Sequence, residues 1–479
     1  MYKFKTEPYE HQKDALKKCW NKESFAIFAE MGTGKTKIAL DNACILYNKG
    51  KIDRLLVVAP KGTYMNWVDQ EIPVHVPDYI EKKVLAWKQS TSAQYRQDLK
   101  DIKDLSNFEF KIMVMNVEAF SSKKGLDFAK LFLIGKSMMI IDESTTIKNP
   151  QAKRTKSILS LRKETKYRRI LTGSPVTQSP MDLWSQMDFL DPEILGQSSY
   201  YAFRTRYAVV ITANAAGGTH KYQKIVKFKN LAQLGQTVSP HSYRILKKDC
   251  LDLPDKVFTK RPVELTEEQQ KAYNEMKSNA MTMLHTGETL TAVNVLTQLM
   301  RLHQITCGHM KTDAGETVKL KNNRLDELMQ ILGETTGKVI IWANYIHDIV
   351  SIQKAINEEF GIESSCNYYG GTKQEDRQAC IKKFQDPENP VRFFIGNTQT
   401  GGYGITLTEA STVIYYSNNY DLEKRMQSED RAHRIGQKNK VLYIDLVAKG
   451  TVDEKIIQAL RNKVNIASEI NGEELASWI

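Results

Sequence analysis

No run of about 18 apolar residues occurs in the 479-residue chain, so a membrane-spanning helix is excluded. The N-terminus, MYKFKTEPYE, has no apolar signal core, and export by that route is not expected. The six cysteines (Cys19, Cys44, Cys250, Cys307, Cys366 and Cys380) are scattered with no CxxC pair. That argues against a disulfide framework or a zinc ribbon and fits a reducing cytoplasm. His303, Cys307 and His309 have ligand-like spacing but lack a fourth ligand nearby, so they are expected to pack rather than to hold a metal. Acidic residues are in deficit: 56 Asp and Glu face 68 Lys and Arg, a net charge of +12. The resulting pI of 9.1 favours a polyanionic partner such as nucleic acid, although anionic lipid would answer the same charge. What is present, 41% hydrophobic and 26% charged residues, is globular composition of a length that suits two lobes.

The chain is organised around AEMGTGKT, residues 29–36. An apolar strand, Phe25 to Ala29, runs into it and a helical pattern leaves it, which is the context of a phosphate loop. Gly32, Thr33 and Gly34 let backbone N–H groups turn onto phosphate oxygens, Lys35 adds positive charge, and the Thr36 hydroxyl can ligate Mg²⁺. Ala29 stands where the strict pattern has its first glycine. Upstream, PYEHQ places Gln12 where its amide can pair with the edge of adenine as donor and acceptor together. Downstream, LLVVAP (55–60), KIMVMN (111–116), SMMIID (137–142) and RRILTG (168–173) are continuous apolar runs separated by helical or loop stretches. Such alternation predicts a parallel, doubly wound sheet buried on both faces.

SMMIIDE ends in Asp142 and Glu143, two carboxylates at the edge where such sheets bind ligands. Asp142 can hold Mg²⁺ and Glu143 can orient and deprotonate the attacking water. Between residues 176 and 250 the alternation stops, and TANAAGG (212–218) predicts a flexible loop within an insertion. A second alternation follows: KVIIWAN (338–344), CNYYGG (366–371), RFFIGN (392–397), STVIYYS (411–417) and VLYIDLV (441–447). It has no second phosphate loop. Its tools are TGGYGITL (400–407), with Gly404 expected on the nucleotide, and QSEDRAHRIGQ (427–437), predicted as a helix presenting Arg431 and Arg434 on one face. An arginine brought from the second lobe would stabilise charge on the transferred γ-phosphate.

Taken in order, these blocks resemble the superfamily-two helicase-type motors, and specifically the Swi/Snf family of ATPases that translocate on double-stranded DNA. The resemblance rests on AEMGTGKT, APKGTYMNW (59–67), IIDESTTIKN (140–149) and LTGSPV (171–176), and on the family's own stretches SPMDLWSQMDFLDP, FRTRY, RILKKDCLDLP, LTQLMRLHQITCGH and DRAHRIGQ. It implies an α/β fold of two RecA-like doubly wound parallel-sheet lobes with helical protrusions. The first lobe would span 1–175, its helical insertion 176–250, a linker and second protrusion 251–320, and the second lobe 321–479. It also implies ATP and Mg²⁺ as ligands, with Gln12 on adenine, Lys35 and Thr36 on phosphates and metal, Asp142 and Glu143 on metal and water, and Arg431 and Arg434 on the γ-phosphate. Lys61, Trp67, Thr172, Ser174, Thr372, Thr398 and Thr406 fall in blocks that meet or couple to the DNA backbone. Departures from the pattern are DEST, where Ser144 and Thr145 replace residues that couple hydrolysis to the lobe interface, Tyr420 for a common Trp, and Leu422 for a common Pro. The resemblance implies a monomeric, non-membrane DNA translocase of bacterial or viral-host cytoplasm that clears protein from duplex DNA without separating strands, with any protein partner left open. The alternatives are a strand-separating DNA or RNA helicase and an ATP-gated, DNA-bound protein switch.

Overall fold

The structure, a computed structural model, describes residues 2–471 apart from 89, 91, 105–108, 215–220, 286–291, 312–315 and 402–404. Two compact units emerge: residues 1–208, 228–252 and 466–474 form the first, and 209–227, 253–465 and 475–479 the second. The first sheet uses β1 (Ser24–Ala29), β2 (Arg54–Ala59), β3 (Lys82–Ala86), β4 (Phe110–Asn116), β5 (Ser137–Asp142) and β6 (Tyr167–Thr172). A two-stranded pair, β7 (Ala208–Asn214) and β8 (Lys221–Phe228), precedes β9 (Ser242–Ile245), which returns to the first sheet. Its order is β3-β4-β2-β5-β6-β1-β9 with every pairing parallel.

The second unit repeats the plan. β10 (Lys256–Val263) is followed by a short antiparallel pair, β11 (His309–Lys311) and β12 (Thr317–Lys319), and then by β13 (Lys338–Trp342), β14 (Ser365–Tyr368), β15 (Phe393–Gly396), β16 (Ala410–Tyr415) and β17 (Val441–Ala448). The larger sheet has the order β10-β17-β16-β13-β15-β14, again all parallel. Along β13, Val339 and Ile341 pack into one apolar cluster while Ile340 and Trp342 pack into another. Both faces are therefore covered, which is why these strands read as unbroken apolar runs rather than as alternation. Among the described residues, no helix is long and apolar enough to cross a membrane.

The boundaries differ from those expected. Residues 176–250 are not a separate protrusion only, because they supply β9, and residues 251–320 supply β10 at the edge of the second sheet. The stretch expected as a flexible loop is partly strand: β7 runs through Asn214, and 215–218 lie outside the described residues. Cys366 on β14 and Cys380 on the helix Gln374–Gln385 are joined by a disulfide across 14 positions of sequence, although their spacing signalled no framework.

One buried cation holds the floor of the first sheet. Arg169, fully buried on β6, donates through Nε to Asn42 Oδ1 (2.9 Å) and through its terminal nitrogens to the carbonyls of Cys19, Lys22, Glu23 and Arg168. It ties the end of the helix Glu10–Cys19 to the start of β1. Burial pulls its pKa down, and these acceptors compensate for the lost water. We predict that Arg169→Leu, which strands several buried acceptors, lowers unfolding free energy by at least about 3 kcal/mol. A urea midpoint unchanged at constant m-value would reject that role.

Candidate functional site

Parallel strands end at one edge, so the loops after β1, β2, β5 and β6 meet there. After β1 the chain turns through Gly32 at φ +84° and Gly34 at φ +85°, and Gly34 caps the helix Lys35–Asn48. A Cβ on Gly34 would lie 2.2 Å from Gln12 Nε2, so glycine is needed both for the left-handed backbone and for the close approach. The first N–H groups of an α-helix have no acceptor within the helix, which is the property that suits this end of the chain to the phosphate role expected of it.

Gln12 is placed differently from the expectation. It is buried behind the loop, its Nε2 donating to Thr33 O (3.2 Å) and its Oε1 accepting from Tyr9 N (3.0 Å). Each end of its amide makes one bond to the chain, so Gln12 braces the loop while one N–H and one oxygen lone pair are not used in these bonds. His11 Nε2 shares the same Thr33 carbonyl at 2.9 Å, and the His11 ring stacks on exposed Tyr9 at 5.8 Å. Thr33 is itself 1% exposed, and its hydroxyl donates to Glu30 O (2.8 Å), so it shapes the loop from inside.

The fold brings Lys35, Asp142 and Glu143 together. Lys35 Nζ lies 3.1 Å from Glu143 Oε1 in a largely buried ion pair. Glu143 occupies the left-handed region, φ +46° and ψ +63°, a conformation costing of order 1–3 kcal/mol for a non-glycine residue. Its N–H donates to Asp142 Oδ1 (3.0 Å). Asp142 Oδ2 accepts from Trp67 Nε1 (3.0 Å). Burial first, and the neighbouring Glu143 charge second, push the Asp142 carboxyl up to about 6, while Lys35 pulls it down. Two carboxylates removed from water against one lysine leave an excess of negative charge in an all-oxygen setting. With the Thr36 hydroxyl this donor set fits Mg²⁺.

Trp67, expected in a block that meets or couples to the DNA backbone, is 2% exposed and has no surface to offer a phosphate, so direct contact is the half of that expectation its position does not suit. A π-type turn at Trp67–Glu71, breaking the helical path that begins at Tyr64, accompanies its inward position. Thr172 is likewise buried, its hydroxyl accepting from half-buried Ser174 N (3.2 Å), and Thr372 Oγ1 accepts from Tyr369 N (3.4 Å). Each hydroxyl thus braces a turn by accepting a backbone N–H. Thr398 is 8% exposed, with Asn419 Nδ2 at 3.5 Å from its hydroxyl, and Thr406 is half-buried. Lys61 is exposed and lines a cavity of about 640 Å³ with Tyr64, Trp87, Lys88, Asn116 and Lys124. That surface carries three lysines: Lys61 and Lys88 just past the ends of β2 and β3, and Lys124 in the first turn of the helix Lys123–Leu133.

Ser144, one of the departures from the family pattern, donates to Gln186 Oε1 (2.6 Å), and Gln186 Nε2 donates to the carbonyls of Pro175 (2.8 Å) and Asp182 (2.7 Å). The carboxylate turn is thereby tied to the loop that follows β6. Gln186 and Trp67 were missed as positioning residues because no local pattern marks them: Trp67 and Asp142 are 75 positions apart, Ser144 and Gln186 are 42 apart.

In the second unit the arginines do not sit on a helix. The helix Leu422–Glu429 stops before them, and Arg431 through Gly436 follow as irregular turns, with Gly436 at φ +102°. Arg431 is 2% exposed, with Nε donating to Gln427 O (3.0 Å) and a terminal nitrogen to Ile405 O (3.1 Å). Half-buried Arg434 reaches the same Ile405 oxygen at 3.4 Å. The two converge, but through a shared carbonyl rather than through helical spacing. Gly404, next to that carbonyl, lies outside the described residues.

The family model described as SNF2-related domain matches residues 11–311, and the helicase conserved C-terminal domain matches residues 320–436. The chain belongs to the SNF2-related family. Its SNF2-related kin include the SWI/SNF chromatin-remodeling complex subunit snf22 of Schizosaccharomyces pombe, 28% identical over 92% of this chain and 26% of that protein. An uncharacterized ATP-dependent helicase of Mycoplasma pneumoniae is 27% identical over 95% of this chain and 41% of its own length. The chain thus spans well under half the length of these curated relatives. A solved structure, the Sulfolobus solfataricus SWI2/SNF2 ATPase core in complex with dsDNA, is 26% identical, with 98% of this chain and 94% of that one covered and a TM-score of 0.44.

A pH test follows from Asp142. Its folded pKa lies above the ordinary 3.8, so the ionised carboxylate costs the folded SNF2-related chain about 3 kcal/mol above pH 6, and this cost fades as the pH falls toward 4. Asp142→Asn is expected to raise thermal stability at pH 8 by up to that amount and to leave it nearly unchanged at pH 4. A melting temperature that falls at pH 8, or rises equally at both, would show the carboxylate is not held at such a cost.

Proposed function

We propose that the chain is an ATP-driven motor that moves along double-stranded DNA and displaces protein from it without separating the strands. The observation that carries the chemical half is the Lys35–Glu143 pair beside a buried Asp142, at the mouth of a phosphate loop. Phosphates against the loop N–H groups compete with Glu143 for Lys35. Once Lys35 turns to them, the Glu143 carboxylate is free to take a proton from the attacking water. Hydrolysis is in this way tied to the presence of ATP. Mg²⁺, held by Thr36 and Asp142, would supply charge neutralisation on the phosphates. Trp67 keeps the Asp142 carboxylate oriented. Arg434 has the exposure to meet a ligand, whereas Arg431 braces the turn from within.

The DNA half is supported by membership of the SNF2-related family, by the charge of +12 and by the lysine-lined cavity. Lysines neutralise phosphates whatever the base sequence, which suits a motor that must step along any duplex. The chain would act as a cytoplasmic monomer.

Two measurements test this reading. ATP turnover should rise several-fold with duplex DNA, more than with single strands or RNA, and Glu143→Gln should keep nucleotide and DNA binding while losing at least about 100-fold in turnover. Turnover indifferent to duplex would sink the motor, and near-normal turnover in the variant would remove Glu143 as base. Replacing Lys61, Lys88 and Lys124 with Ala should weaken duplex binding equally for all sequences and flatten the salt slope by about 1 for each phosphate no longer neutralised. An unaltered slope would move the DNA surface elsewhere.

A further inference from the structure

His303, Cys307 and His309 do not form a metal site together: His303 Nδ1 is paired with the Tyr345 hydroxyl at 2.9 Å. His309 instead meets two residues 38 and 39 positions later. It stands on β11, while His347 and Asp348 lie in the first turn of the helix Ile346–Phe360. One ligand atom from each of the three lies within 4.8 Å of the others. His309 Nδ1 is 3.1 Å and His347 Nδ1 3.9 Å from Asp348 Oδ1, and the two imidazole rings are 4.6 Å apart, tilted by 34°. His309 and Asp348 are each 2% exposed.

The arrangement is poor as a set of hydrogen bonds. His309 Nδ1 is near enough to Asp348 for an ion pair but off the line an N–H···O bond needs, and it is left without a hydrogen-bond partner. His347 Nδ1 and Asp348 Oδ2 are left in the same condition. Three unpaired polar atoms in one buried pocket are costly, each by about 1–3 kcal/mol. Ligand atoms gathered this closely without hydrogen bonds between them are relieved when an ion sits among them. Ligands about 2.1 Å from a tetrahedral zinc lie roughly 3.4 Å from one another, within the spread that His309, His347 and Asp348 already show.

We propose that His309, His347 and Asp348 bind a divalent transition ion of zinc's class, with water at the fourth position on the open side of His347. Two imidazole nitrogens select such an ion over Mg²⁺ or Ca²⁺, which prefer all-oxygen sets. The His347 side chain is 32% exposed, so it gives the ion a path in and the water a place. Bound there, the ion pins β11 to the first turn of the helix Ile346–Phe360 and acts as a structural staple of the second unit. The site involves none of the residues of the phosphate loop or the carboxylate turn.

The full chain, stripped with chelator and free of nucleotide, is titrated with Zn²⁺ by calorimetry and with Co²⁺ as a visible-absorption probe. One equivalent is expected to bind, giving a tetrahedral Co²⁺ spectrum and raising the melting temperature. His347→Ala should weaken binding by more than the 10–100-fold that loss of an outer-shell partner costs, and should abolish the thermal shift. His347→Cys, which restores a ligand, should recover both with an added thiolate-to-Co²⁺ band. Asp348→Asn should weaken binding as well. No uptake by the wild-type chain overturns the site, and so does uptake that His347→Ala and Asp348→Asn leave unchanged.

Discussion

The first unit is arranged around two carboxylates that have been taken out of water beside one lysine. Asp142 and Glu143 are adjacent, so their mutual repulsion cannot be relaxed by moving apart, and burial denies them solvent. What keeps the pair in place is a set of donors from distant parts of the chain: Trp67 on one side and Lys35 on the other. The backbone contributes too, because the left-handed turn at Glu143 sends consecutive carboxylates in different directions. A corner held this way has a standing need for positive charge. Its stability is traded for an electrostatic preference that ligand binding can satisfy.

That corner does not stand apart from the lysine-lined surface. Strand order puts β3, β4 and β2 on one side of β5, with β6 and β1 on the other. The lysine cavity gathers at the ends of the first group, and the phosphate loop at the end of β1. The segment after β2 serves both, since Lys61 and Tyr64 line the cavity while Trp67, a single turn further on, donates to Asp142. A shift of this short helical segment on contact with a polyanion would be felt directly at a carboxylate. No long relay is required, and a π-type turn at Trp67 marks the point where the segment leaves its regular path.

Much of this was legible in the sequence, for a definite reason. The phosphate loop, the Asp142–Glu143 dipeptide and the parallel strands are local patterns, each determined by residues within a few positions of one another, and burial on both sheet faces leaves short apolar runs whose length and alternation with helical stretches read as strands. The braces were not legible. The bond of Trp67 to Asp142 left no local trace because the acceptor lies 75 positions away, and the bond of Gln12 to Thr33 left none because an amide's chemistry is the same whether it faces adenine or a backbone carbonyl. The arginine helix failed on a boundary: the apolar-polar spacing continues past Glu429, but the backbone does not, and Gly436 with its positive φ belongs to a turn. His347 and Asp348 gave no signal at all, since only the fold brings them to His309.

The replacement of the usual residues after the carboxylates by Ser144 and Thr145 can now be given a physical content. Ser144 reaches Gln186, and Gln186 holds the carbonyls of Pro175 and Asp182. Asp182 in turn accepts the N–H groups of Thr177 and Gln178 at 2.9 and 2.7 Å, while Lys148 donates to the Thr177 hydroxyl at 2.7 Å. The carboxylate turn and the loop after β6 are therefore closed into one hydrogen-bonded network of largely buried groups. Because its members satisfy one another, displacement of the Glu143 turn must either carry the Pro175–Asp182 loop with it or leave a buried polar group unpaired. A serine in that place supplies a short, neutral tether between the Glu143 turn and the neighbouring loop that a glycine or alanine there has no side-chain oxygen to make.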